Sequence, residues 1–172
     1  MTLSMHSASA PIFLTQLKAM LGWLDQAEAH AKARGFDPDN YLGCRLAPDM
    51  LPFTAQIRIA SDAAKGCMAR LAGREPPKFE DNEVHFDELR ERIRKTIAYV
   101  ESVPAAAVDG SEARSITIPM RTREPYVFQG AYFLRHWALP NFFFHCGMAY
   151  ALLRHNGVAL GKQDFLALPP QA

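Results

Sequence analysis

Apolar residues recur along this chain at helical spacing in four stretches, and in a short strand-like pattern between the third and fourth. The first helix is expected over Ser7 to Arg34. Its stripe of Ile12, Leu14, Leu17, Met20, Leu21, Leu24 and Ala27 follows the 3.6-residue period, with Lys18, Asp25, Glu28 and Lys32 on other faces. Ser9 reads as its N-cap, Pro11 as a first-turn residue and Gly35 as its stop. His30 reads as a surface residue beside the C-terminal dipole.

The second helix is expected over Met50 to Ala72, with Asp49 near its start and Gly73 just past its end. Phe53, Ile57, Ala60, Ala64, Cys67, Met68 and Leu71 make its apolar face, and Gln56 falls beside that face. Asp62 lies about 240° further round at roughly 100° per residue, so the two cannot point at one centre. The third helix runs from Phe86 to Glu101 on Phe86, Leu89, Ile93, Ile97 and Val100. Glu88, Arg90, Glu91, Arg92 and Lys95 read as its solvated face. Ser115–Met120 and Pro125–Gln129 read as a small hairpin that must lean on the helices, because a lone hairpin is marginal in water.

The fourth stretch, Gly130 to Gly157, differs from the others. From Trp137 to Leu153 it carries no Lys, Arg, Asp or Glu, and apolar residues lie on every side of the helix it forms. Such a helix is expected to be enclosed on all sides. One bundle cannot easily wrap so much apolar surface, which predicts that part of it meets a second copy in a symmetric dimer. The run is too short for a membrane span and is interrupted by Pro140, Asn141 and His145. Pro140 lacks the N–H owed to the carbonyl of His136, so a kink or a helix restarted at Pro140 is expected. Asn141 and His145 are four residues apart and therefore share a face. After Gly157 the pattern has no period; Phe165 and Leu166 are expected to dock and the last few residues to be loose.

Long connections after the first and third helices allow an order other than simple up-and-down. At 172 residues the chain fits one domain, 1–172, with a full core. A net charge of +1 argues against an electrostatic nucleic-acid binder, since the basic clusters at Arg121 and Arg123 and at Arg90, Arg92, Arg94 and Lys95 are local. Cys44, Cys67 and Cys146 fit no zinc spacing and read as reduced, buried residues of a cytoplasmic protein; no signal-peptide pattern precedes them. There is no serine nucleophile elbow and no Gly-rich phosphate loop.

The strings LPNFFFHCGMAYALLRHNGVALGKQDFL, RLAPDMLPFTAQIRIASDAAKG and RLAGREPPKFED occur in order along the chain. They resemble a bacterial family of uncharacterised proteins within the DinB/YfiT-like superfamily of metalloenzyme-like proteins. The resemblance implies an all-α, four-helix bundle of DinB-like type, often dimeric. It also implies a divalent metal held by three histidines, one from the second helix and an HxxxH pair from the fourth, with some relatives acting as thiol transferases or isomerases. On that pattern His145 matches the second histidine of the pair, Asn141 stands where the first would be, and the second helix offers Gln56 instead of a histidine.

Amides are poor ligands for the nickel or zinc that imidazole favours, so the metal site reads as degenerate, with His145 the one candidate ligand. Three functions follow as expectations. The first is a small-molecule binding bundle with a polar spot of Gln56, Asn141 and His145, without a cofactor. The second is a metal-dependent thiol transferase or isomerase. The third is a structural dimeric interaction protein whose buried polar cluster fixes helix register.

Overall fold

The computed structural model describes residues 3–120, 122 and 124–167; Arg121, Arg123 and the expected loose tail from 168 onward lie outside the described residues. Four long helices form the body: α1 (Ala10–Arg34), α2 (Phe53–Leu71), α3 (Phe86–Ser102) and a fourth rod. A short α4 (Ala105–Val108) and an antiparallel hairpin of β1 (Ser115–Ile118) and β2 (Tyr126–Gln129) precede that rod. The rod is α5 (Gly130–Tyr132), a π-helical stretch (Phe133–Ala138) and α6 (Leu139–His155). A small α7 (Lys162–Leu166) ends the described chain.

Helix α2 packs chiefly on α6 and α3, and α1 packs on α3 and α6, so α1 and α2 sit diagonally. Paired residues fix the directions. Phe53 stacks on Phe86 while Asp62 reaches Arg92, so α2 and α3 run parallel. A parallel pair needs a return of a whole helix length. The 19 residues of α2 span about 28 Å at 1.5 Å each, and the connection 72–85 covers that distance easily when extended. The long return thus follows the second helix, not only the first and third.

The ends of the elements explain themselves. Gly35 closes α1 in the left-handed region at φ 74°, where its N–H reaches back to the last turn. Ser9 stands at the N-cap position, but its hydroxyl donates backward to Met5 O and does not cap. Helix α2 begins after Pro52, not Asp49, and has no side-chain cap; the preceding loop supplies the acceptors. Cys44 O takes the N–H of Phe53 and Leu42 O takes that of Thr54, which satisfies two orphan donors. At Gly130 a Cβ would lie 2.1 Å from Ser111 O, so only glycine lets the hairpin enter the fourth rod.

Burial rotates the α1 stripe. Phe13, Leu17, Met20, Trp23, Leu24, Ala27 and Ala31 are buried, while Ile12, Leu14 and Leu21 are only half-buried. His30 is not a free surface residue: its Nδ1 meets Tyr41 Oη at 2.6 Å. Phe165 stacks on Trp23, whose Nε1 donates to Asp164 O, whereas Leu166 stays exposed.

The largest correction concerns which helix is enclosed. The fully wrapped helix is α2, buried along nearly its whole circumference. On α6 only Phe142, His145, Cys146, Ala149, Leu152 and Leu153 are buried, and Phe144 is 58% exposed. Small residues on α2 (Ala60, Ala64) let α3 and α6 close on both sides of it, and the outer face of α6 is left uncovered. Pro140 lies in the first turn of α6, directly after the π-helical stretch. The lost hydrogen bond therefore falls where the backbone has already changed pitch. No described helix is long and apolar enough to cross a membrane.

Candidate functional site

Helix α2 presents polar side chains to both of its neighbours, and the two sides differ. Toward α3 the expected solvated face is wrong at two positions: Arg90 and Arg92 are buried. Their long stems run inward and their guanidinium forks collect carboxylates. Arg92 reaches Asp62 at 2.9 Å, Asp81 at 3.0 Å and Glu83 at 2.7 Å, and its Nη1 also donates to Glu80 O. Arg90 reaches Asp25, Glu28 and Asp87. Arg58 adds a 2.6 Å contact to Glu83. Burial alone would raise the Glu83 carboxyl, but hydrogen bonds from Arg92 and Arg58 outweigh it and hold it below the usual carboxylate range. Asp62 is thus committed to α3, and Lys65 reaches the same oxygen, Oδ1, at 2.9 Å.

Toward α6 the bonds are few. Gln56 is 2% exposed and His145 8% exposed, and they meet at 2.7 Å between Gln56 Oε1 and His145 Nδ1. Gln56 Nε2 donates to Leu51 O at 3.0 Å. That second bond decides the protonation state. A carbonyl accepts only, so the Gln56 nitrogen must face Leu51 and its oxygen must face the imidazole. His145 Nδ1 therefore carries the proton and donates it to Gln56. In the neutral ring, Nε2 is then left as a lone-pair acceptor. Burial pulls the His145 pKa below its ordinary value, so the neutral ring is the form present at neutral pH. Among the described residues nothing hydrogen-bonds to Nε2, and this atom is not sealed from solvent. The Phe144 ring stands edge-on to the imidazole at 5.1 Å.

Asn141 lies one turn earlier on α6. It is half-buried and bonded to neither His145 nor Gln56. It lines a cleft of about 190 Å³ between α2, the π-helical stretch and β1, together with Ala63, Cys67, Arg70, Ile118 and Trp137. The structure thus joins Gln56 to His145 and sets Asn141 beside a separate hollow on the same helix seam. Arg70, unremarked in the sequence pattern, projects into this cleft. Its only sequence signal is a cation four residues after Gly66, and a Cβ on that glycine would fall 2.6 Å from Arg70 Nη1.

The cysteines add no chemistry here. Cys67 and Cys146 are buried and desolvation pushes both thiols far up, so neither forms a thiolate; Cys44 is half-buried. No cluster of three His, Cys, Asp or Glu among the described residues could hold a metal ion. The donor set at the expected position does not fit one either. It offers one imidazole nitrogen and two amides, and both ends of the Gln56 amide are already bonded.

The sequence matches the family described as Domain of unknown function (DUF1993) over residues 5–166. Among solved structures, a DinB family member protein from Shewanella denitrificans is similar to it with a TM-score of 0.86 and 36% identity. The alignment covers 97% of this chain and 94% of that one. No curated protein matches the sequence. The chain belongs to the DUF1993 family and has a DinB-like fold.

Proposed function

We propose that this DUF1993 bundle binds a small molecule on the α2–α6 seam, with His145 Nε2 accepting a hydrogen bond from the ligand and Asn141 contacting it from the adjoining turn. The observation that carries this reading is the fixed tautomer of His145. Gln56, itself anchored on Leu51 O, spends its oxygen on holding the ring with Nε2 unprotonated and open. A residue placed only to fill the core has no use for an outward lone pair. The ligand would be a molecule with an N–H or O–H donor and apolar surface for Phe144 and Trp137.

On this reading the three-histidine metal site of the superfamily is absent, because a bonded glutamine and an asparagine replace two imidazoles. The test is a thermal-shift screen of donor-bearing small molecules against the wild type and against His145→Leu and Asn141→Ala. Hits should raise the melting temperature of the wild type and lose most of that rise in both variants. A screen without hits, or hits indifferent to both substitutions, contradicts the reading. Stoichiometric metal in protein purified without a histidine tag would favour the thiol-transferase alternative instead.

A symmetric dimer through the outer face of α6 belongs to the same proposal. Its support is adjacent uncovered aromatic surface at Phe143 and Phe144, in a helix that carries no charge between Trp137 and Leu153. Phe144→Glu should convert a dimer seen by light scattering into a monomer; a monomeric wild type would refute this part.

A further inference from the structure

Among the described residues four arginine side chains are buried or half-buried, and three of them are met by acids, Arg58 by Glu83 and Arg90 and Arg92 by several. Arg90 and Arg92 each make ion pairs with three carboxylates. Arg70 is half-buried and has no hydrogen bond or ion pair among the described residues. Its guanidinium folds back over Gly66, where the absence of a Cβ makes room for Nη1. Two hollows meet at this side chain. One is the Asn141 cleft described above. The other, about 540 Å³, opens between the end of α2 and β1 and is flanked by Arg74 and Arg114. Arg114 donates to Leu71 O, and Glu75 is the one acid on that side. Asp62, the one acid of the first hollow, is already bonded to Arg92 and Lys65.

A half-buried guanidinium has given up part of its hydration and normally recovers that cost from an acceptor. Here no acceptor among the described residues supplies it, while the two hollows lead solvent-sized space to it. We propose that Arg70 is an anion-binding residue, taking the carboxylate or phosphate group of a small molecule seated between α2 and β1, with Arg74 and Arg114 adding positive potential at the rim. The planar fork suits either oxyanion in a two-point contact. This deepens the binding reading above by giving the ligand a negative charge, and it rests on that reading for the rest of the ligand. The anion contact itself stands or falls alone.

The experiment titrates inorganic phosphate and, separately, succinate into the protein while NMR follows the Arg70 side-chain Nε–H and the Asn141 side-chain amide. Saturable shifts of both signals are expected in the wild type, and the tighter of the two probes identifies the phosphate or the carboxylate source. Arg70→Gln should weaken binding about tenfold or more, the loss expected for a charged hydrogen-bonding partner. Arg70→Lys should retain part of it. Gly66→Ala keeps the charge but pushes the guanidinium out of its seat, so it should also weaken binding; it carries the test if Arg70→Gln does not fold. Lys18→Gln, on a remote exposed ion pair, should bind as the wild type does. Equal affinity in the wild type and either Arg70→Gln or Gly66→Ala, or no saturable shift with either anion, overturns the proposal. If phosphate or succinate binds while no donor-bearing ligand responds to His145→Leu, the Arg70 site stands and the His145 reading falls. The reverse pattern sinks only the anion site.

Discussion

The two sides of α2 use buried polar groups in opposite ways. On the α3 side nearly every buried charge is met. Arg92 holds Asp62, Asp81 and Glu83, Arg58 shares Glu83, and Lys65 shares Asp62 Oδ1 with Arg92. Arg92 Nε is an orphan there, one atom of a fork otherwise engaged, and Ser61 Oγ, beside Asp62 on α2, is another buried atom without a partner among the described residues. On the α6 side His145 Nε2, the Asn141 amide and the Arg70 guanidinium have no partner from the chain among the described residues. A saturated network ties helices together. A seam that keeps one well-oriented acceptor and one unpaired cation beside a hollow has the chemistry to meet something else. The contrast separates residues that look alike in sequence: Arg70 and Arg92 are both helical arginines beside apolar positions, and only their surroundings differ.

Breaking the saturated side should cost the most. Arg92→Met removes the buried fork that ties Asp62, Asp81 and Glu83 together and leaves the almost sealed Glu83 carboxylate with Arg58 as its one remaining ion-pair partner among the described residues. A loss of roughly 3–5 kcal/mol in denaturant unfolding is expected, as for other broken buried pairs. Ligand binding on the α6 side, measured where the variant remains folded, should be kept. Recovery of part of that stability in the double variant Arg92→Met, Glu83→Gln would confirm that the under-compensated carboxylate is a cause; full recovery is not expected, because Arg58 then loses its ion pair.

His145→Leu should cost less, about 1–3 kcal/mol, because it strands only the neutral Gln56 oxygen. Adding Gln56→Met should return most of that loss. A double variant no better than the single one would show that Gln56 and His145 do not act as a pair. Stability and ligand response should also separate here: the double variant folds well and binds nothing through this seam.

A smaller effect concerns pH. The folded-state pKa of His145 is lowered by burial, so the unfolded chain binds a proton that the native protein refuses. The unfolded state is therefore favoured as pH drops below the ordinary histidine value of about 6.5, and the loss levels off below the depressed folded pKa. His145→Gln should flatten this part of the acid limb. His85 gives the opposite sign. Its pKa is raised, first by the hydrogen bond to Asp39, so its contribution is complete below the ordinary value and fades as pH rises through the folded one. Asp39→Asn should remove that alkaline-side fading. An unchanged acid limb in His145→Gln would place the ring in solvent.

The smallest effect is expected at Arg70. Without an anion present, Arg70→Met should leave stability within about 1 kcal/mol of the wild type, or raise it, since an unpaired half-buried cation contributes no bond to the fold. A large loss would reveal a partner for Arg70 in solution and erase its difference from Arg92.

Much of the fold was legible because it rests on periodicity. The second-helix face of Phe53, Ile57, Ala60, Ala64, Cys67, Met68 and Leu71 is buried throughout, and both hairpin strands lie inside their expected stretches. What failed depended on neighbours in space. Charge type suggested that Arg90 and Arg92 were solvated, but acids from α1, α2, α3 and the connection after α2 converge on them. The apolar composition of the Trp137–Leu153 run suggested full enclosure, yet the face carrying Phe143 and Phe144 is left uncovered by the other helices.

Within the site, helical spacing put Asn141 and His145 on one side, and Gln56 came from the family resemblance, as the residue standing in for a second-helix histidine. The anchor at Leu51 O was invisible, because a backbone carbonyl carries no sequence signature. Arg70 was missed for a related reason: being unpaired is a property of what is absent around a residue, and no motif encodes it.

The most direct measurement is the imidazole ¹⁵N spectrum of His145 at neutral pH, assigned by its disappearance in His145→Gln. The account predicts a neutral ring with the proton on Nδ1 and an unprotonated Nε2, together with a one-bond shift of the Nδ1–H signal in Gln56→Met. A ring protonated on Nε2, or an imidazolium, would mean that no open acceptor faces the seam, and the binding site proposed for this family member would be lost.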